Sequence, residues 1–251
     1  MKHQICRTML AAAAVTAGVF LSACGLFRDT TDSVFDDAED AIATDRTASN
    51  IETAQFEYEF DGGSSSATVR FLAPGNVRID VLDGIDSAVF CLNGDGSSGW
   101  MFLRGEVIDM TADDIMEMHG ALLQTIPFQV DFQDIFTNAE LQETTEDACG
   151  EECDVISAVF RRARDIQVKF WIGKKSDLLR QFEVAREDGV LTTQYFNYRK
   201  YGNVTLPSLT FNFSPDGATR LKLISFESNI DIPAYVFRKP EKLSALEGGM
   251  K

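Results

Sequence analysis

From residue 54 onward the chain alternates apolar and polar side chains with a period of two, in repeated runs separated by turn residues. Phe56, Tyr58 and Phe60 alternate with Glu57 and Glu59. Ala67, Val69 and Phe71 follow a Gly/Ser segment at 62–66, and Val77, Ile79 and Val81 follow Pro74 and Gly75. A two-residue period puts successive side chains on opposite faces, which is the signature of half-buried β-strand rather than amphipathic helix. Asp83 and Gly84 mark a further hairpin, and runs at 87–92 and 100–108 complete five strands in tandem. Six more runs follow, at 155–161, 166–172, 178–186, 191–201, 209–213 and 221–230.

The pattern breaks between these two sets. Thr111 can cap a helix whose first turn is acidic, Ile115, Met118, Leu122 and Leu123 stand at helical spacing, and Ile126 and Pro127 end it. A second short helix is expected over 132–137. A tandem antiparallel sheet of about eleven strands must curl, and helices inserted near its middle can plug the concave side. The expected fold is therefore mainly β with short helices: an unclosed antiparallel β-barrel of about eleven strands with a helical lid or plug. Its interior is either a solid core or a ligand pocket, and periodicity favours neither.

The first residues carry an address. A basic start, Lys2 and Arg7, leads into an apolar run that ends in Leu21-Ser22-Ala23-Cys24-Gly25. This reads as a lipoprotein signal peptide (1–23) closed by a lipobox, with Cys24 the site of lipid attachment. The run from Met9 to Ala23 is shorter than the roughly 20 residues that span a bilayer, and no second apolar segment follows. Several acyl chains on Cys24, palmitate among them, would hold the chain on a membrane, since each buried methylene contributes about 0.8 kcal/mol. Residues 24–49 read as an acidic tether or an N-terminal helix, the second through a weak apolar stripe over 34–48. Residues 50–240 form the barrel, and 241–251 a flexible tail.

Charge and residue usage exclude several classes. The net charge of −16 becomes −18 once Lys2 and Arg7 leave with the signal, which disfavours nucleic acid and anionic headgroups as partners. After removal of His3 a single histidine, His119, remains, so a multi-histidine metal site is impossible and any triad would depend on one imidazole. No phosphate loop, GxSxG elbow or HExxH helix occurs, so no catalytic residue, metal or cofactor is assigned and the chain is read as a non-enzyme. Cys149 and Cys153 flank a polar turn where a local disulfide could close, and a metal site with Cys91 and His119 is the alternative. Cys91, in an apolar run, is expected to be a buried small hydrophobe.

Three segments carry a resemblance. Residues 111–127 look like the lid-helix segment of LolB, 69–81 are similar to a pair of strands joined by a proline turn, and 198–207 resemble a strand-turn-strand near the C-terminus of LolA-like proteins. The chain thus resembles the LolA/LolB superfamily of outer-membrane lipoprotein sorting, and its lipobox is closer to LolB. That resemblance implies a helix rather than a tether ahead of the barrel. It implies a non-enzymatic acceptor or carrier of lipoprotein acyl chains, lined by Phe56, Tyr58, Val69, Phe71, Ile79 and Trp100, with Ile115, Met118 and Leu122 as lid. Ala73 stands where LolA proteins have a lid-latching arginine. Ile85 falls at the membrane-facing leucine of the LolB hairpin; an ordinary turn residue folded back onto the sheet is the alternative. The implied location is the periplasmic face of the outer membrane, with a LolA-like carrier as partner. The alternatives are a carrier of another lipid or glycolipid, or an envelope assembly lipoprotein with a filled core.

Overall fold

The computed structural model describes residues 30–240 apart from 61–62, 64, 95–96, 112–113, 116–117, 119–131, 162 and 187–188. Cys24, Leu122 and His119 therefore lie outside the described residues. Six strands lead the chain: β1 (Thr53–Phe60), β2 (Ser65–Leu72), β3 (Asn76–Asp83), β4 (Asp86–Leu92), β5 (Gly99–Leu103) and β6 (Glu106–Asp109). Eight follow the interruption: β7 (Phe136–Leu141), β8 (Glu146–Ala148), β9 (Glu151–Phe160), β10 (Ala163–Gly173), β11 (Leu179–Arg186), β12 (Gly189–Tyr201), β13 (Val204–Ser214) and β14 (Gly217–Ser228). All pair antiparallel in one sheet of order β6-β5-β4-β3-β2-β1-β14-β13-β12-β11-β10-β9-β7, with β8 on β9. The β1–β14 pairing, Phe56 opposite Phe226, fuses the two meanders. The ends β6 and β7 do not pair with each other, so the barrel is unclosed.

Three strands exceed the eleven that periodicity predicts. The run at 100–108 divides into β5 and β6 because Arg104 (φ 52°) and Gly105 (φ 85°) make a tight left-handed turn, and Arg-Gly carries no strong turn signal. The short helix expected over 132–137 stops after four residues, and β7 starts at Phe136. There Phe136 pairs with Phe160 on β9, and an edge pairing overrides weak local helix preference. Strand β8 is three residues of acidic sequence, too short and too polar to show alternation.

Helix α1 (Thr31–Ile42) precedes the sheet and lies on its concave face. Thr30 caps it by accepting the Ser33 N–H at 3.3 Å, and Val34, Phe35, Ala38 and Ile42 form its buried stripe. The acids Asp32, Asp36, Asp37 and Asp40 fall off that stripe, so a segment with an acidic composition still folds as an amphipathic helix. One turn, α2 (Asp45–Ala48), leads into β1, and α3 (Phe132–Ile135) leads into β7. Two bonds tie α1 to the second half of the sheet: Phe132 N–H donates to Glu39 Oε1 at 2.8 Å, and Leu141 N–H donates to Thr31 Oγ1 at 3.3 Å. Phe35 stacks on Phe132 at 5.2 Å and meets Phe170 edge-on at 5.5 Å. No helix among the described residues is long and apolar enough to cross a membrane.

Truncating Phe35, 1 % exposed, opens a cavity at the contact between helix and sheet. Phe35→Ala is expected to cost about 3–5 kcal/mol, measured as a lowered urea midpoint without a change of slope.

Candidate functional site

The concave face divides into two apolar regions. Under the N-terminal part of α1, Phe35, Phe132, Phe136, Phe170 and Phe182 pack with Tyr195 and the aliphatics of β9–β12. The rings are close, with Phe136 and Phe170 at 4.9 Å and Phe170 and Phe182 at 4.7 Å. This region is filled by the chain's own aromatics. The second region begins at Ile42 and spreads over β1–β5 and the ends of β13 and β14.

Four residues expected on the inner face, Phe56, Val69, Phe71 and Ile79, meet in this second region and are buried. Cross-strand pairing aligns three of them: Val69 stands opposite both Phe56 and Ile79. Tyr58 packs partly buried beside them, its ring 6.2 Å from that of Phe56. Burial, and then the neighbouring Tyr201, raises the Tyr58 phenol well above its usual value, so it stays neutral. Met118 is buried in the same region and Ile115 packs against it. Thr111 caps that segment as its sequence implies: its hydroxyl accepts the Asp114 N–H at 3.2 Å, and the Asp114 carboxylate accepts the Thr111 N–H at 2.8 Å.

Trp100 does not belong to this face. It pairs with Cys91, one residue out of phase with the inward pair Met101 and Phe90, and so points to the convex side. There it packs with Cys91, Ile232 and Phe237, and its indole N–H donates to Phe237 O at 3.1 Å. An aromatic at the start of a run gives no phase until the register of the strand is known. The large aromatics of β10 and β11, Phe170 and Phe182, share the inner face, where alternation was the available signal, and Phe35 of α1 meets them from the helix, where the apolar stripe was.

At the β3–β4 hairpin, Asp83 pairs with Asp86 and leaves Gly84 and Ile85 as a two-residue turn, with Gly84 at φ 59° as such a tight turn requires. Ile85 is 100 % exposed and Leu82 beside it 51 %. The side chain therefore does not fold back onto the sheet.

Cys149 and Cys153 are free thiols, not the expected disulfide. Cys149 (φ 51°) and Gly150 (φ 81°) make the tight β8–β9 turn. That conformation directs the Cys149 thiol to Arg180 O at 3.1 Å, while Cys153 is buried with Val155 and Trp171 and donates to Glu151 O at 3.3 Å. Glu151 anchors the same hairpin. Burial by itself raises its carboxyl, but the Lys175 N–H, the Ser176 hydroxyl and the Arg180 guanidinium outweigh that and hold it below the usual carboxylate range. Cys91, as expected, is a buried thiol.

Comparison with known proteins rests on shape alone, because no protein-family model and no curated sequence matches the chain. A LolA superfamily protein from Nitrosomonas europaea superposes with a TM-score of 0.52 at 14% identity, covering 76% of this chain and 91% of that one. A DUF1329 family protein from Desulfovibrio piger superposes with a TM-score of 0.52 at 10% identity, covering 77% of this chain and 92% of that one.

Burial raises the thiols of Cys91 and Cys153 from 9.0 to about 12. Unfolded thiols ionise first as pH rises, so this contribution to stability is complete below about pH 9 and is lost toward pH 12. Iodoacetamide at pH 8 is expected to spare both in the folded protein. In denaturant without reductant, Cys91, Cys149 and Cys153 should all alkylate; labelling of Cys91 alone would mean that the other two are bridged.

An unclosed antiparallel barrel with a helix laid on its concave face is the fold this chain shares with the LolA superfamily protein from Nitrosomonas europaea.

Proposed function

We propose that this chain is a lipid-anchored envelope lipoprotein that accepts or carries lipoprotein acyl chains on the β1–β5 half of its concave face. One observation carries the reading: the sheet is left open between β6 and β7, and among the described residues the apolar surface inside it is covered by elements laid on top. Such a surface needs to separate from a lid, not from a strand partner, to admit a chain. The filled aromatic region under α1 confines a ligand to the other half, where Phe56, Tyr58, Val69, Phe71 and Ile79 would line the site under Ile115, Met118 and Leu122. At about 25 cal/mol per Å² of apolar area removed from water, a partly buried acyl chain is held without any covalent step. The fold and the resemblance of residues 111–127 to a lid segment support this reading.

The lipobox at Cys24 and Ala73 at the latch position favour a stationary LolB-like acceptor over a soluble shuttle. Such an acceptor sits on the periplasmic side of the outer membrane and receives cargo from a LolA-like carrier. Ile85, exposed at its hairpin tip, then reaches the bilayer, though Asp83 and Asp86 limit its depth because their carboxylates resist desolvation.

Replacing Cys24 (Cys24→Ala) should abolish palmitate labelling and release the chain to the soluble fraction. Organic extraction of that soluble protein and mass spectrometry should then return lipoprotein acyl chains. A different lipid or glycolipid would redirect the reading to another cargo, and an empty extract with no binding of a synthetic acyl-peptide would leave an assembly lipoprotein with a filled core. Ile85→Asp should leave acyl-peptide binding unchanged and slow its transfer to vesicles roughly tenfold, since withholding one aliphatic side chain from the bilayer costs on the order of 1.5 kcal/mol.

A further inference from the structure

On the convex face, away from α1, the chain's last described residues form a strap over β3–β6. A 3-10 turn (Ala234–Phe237) is pinned by three bonds: Arg78 Nη1 to Val236 O at 2.8 Å, Trp100 Nε1 to Phe237 O at 3.1 Å, and Cys91 Sγ to Phe237 O at 3.2 Å. Lys239 closes it through Asp109 on β6. Between strap and sheet runs a groove of about 740 Å³. Half-buried Val89 and Phe102 make its floor, next to Trp100, which is 3 % exposed with Arg78 over its ring at 5.8 Å, and Tyr235, 66 % exposed, stands on its wall.

The groove's charge is opposite to that of the protein. Four cations line it, Arg70, Arg78, Arg238 and Lys239, in a chain of net charge −16. Two carboxylates answer them. Asp80 is shared by Arg70 and Arg78, and Asp109 takes Lys239. Arg70 uses Nε on Gln55 and Nη1 on Asp80, which leaves Nη2 without a protein partner among the described residues. The Arg238 guanidinium makes no side-chain bond among them. Guanidinium groups with unused donors recognise carboxylate and phosphate oxygens, and an apolar floor of this size takes up an apolar body.

We propose that this groove binds a small amphiphilic anion: one phosphate or carboxylate group on an apolar stem, the anion held by Arg238 and Arg70 and the stem laid on Val89 and Phe102, beside Trp100. The site lies on the opposite face from the acyl-binding region and is independent of it.

Trp100 reports on the groove directly. The chain has two tryptophans, so Trp171→Phe leaves Trp100 as the sole indole. Dodecyl phosphate, titrated below its micellar concentration, should shift Trp100 emission saturably, and Arg238→Gln in the same background should weaken binding about tenfold. Dodecyl maltoside, with the same stem and no charge, and inorganic phosphate, with the charge and no stem, should each fail to compete. The proposal is overturned by an emission that does not saturate, by affinity unchanged in both Arg238→Gln and Arg70→Gln, or by either control competing equally. Thermal melts check that the variants remain folded.

Discussion

Everything in this structure depends on covering the inner face of a sheet that never closes. A closed barrel buries its interior by its own curvature, whereas here β6 and β7 end without pairing, and water would reach the concave side if nothing lay on it. Helix α1 answers that need. Its stripe of Val34, Phe35, Ala38 and Ile42 crosses from one apolar region to the other, so a single helix spans the two halves of the sheet that the β1–β14 ladder joins. The Glu39 and Thr31 side chains add hydrogen bonds to backbone N–H groups of Phe132 and Leu141, which lie at the interrupted edge and have fewer partners in the sheet.

The two halves are covered by different means. Beneath α1, five phenylalanines interlock at ring distances that favour offset and edge-on packing, and removal of one ring there is felt by several others. Over β1–β5 the packing comes from Ile42, Ala43 and Ile51 on one side and from Ile115 and Met118 on the other. The aromatic half is thus filled by interlocked rings, while the other half is packed mainly by aliphatic side chains.

The convex face follows another logic. It is organised by polar contacts between hairpins: Arg70, Arg78 and Asp80 on β2 and β3, Glu151 with Ser176 and Arg180 across β9–β11, and the strap that brings Phe237 to Trp100 and Cys91. These groups are partly buried, so each keeps its partner in a defined place. Their effect is register, because each joins residues that would be drawn apart if a strand slipped by one position.

The alternating runs determined by themselves that this is an antiparallel β protein, where most strands begin and end, and that Phe56, Val69, Phe71 and Ile79 share a face, because a two-residue period is a local property. The cap at Thr111 was legible for the same reason. The tertiary structure alone decided what depends on register and on distant partners. Trp100 turned outward because its strand pairs Cys91 rather than Phe90 with it. Phe136 became strand because Phe160 was there to pair with it. The acidic N-terminal segment became a helix because the open sheet offered its four apolar residues a face to bury against, and Cys149 and Cys153 stayed apart because a tight turn aimed one thiol across to β11. Side-chain phase and partner are set by the far side of the sheet, which no single run of sequence contains.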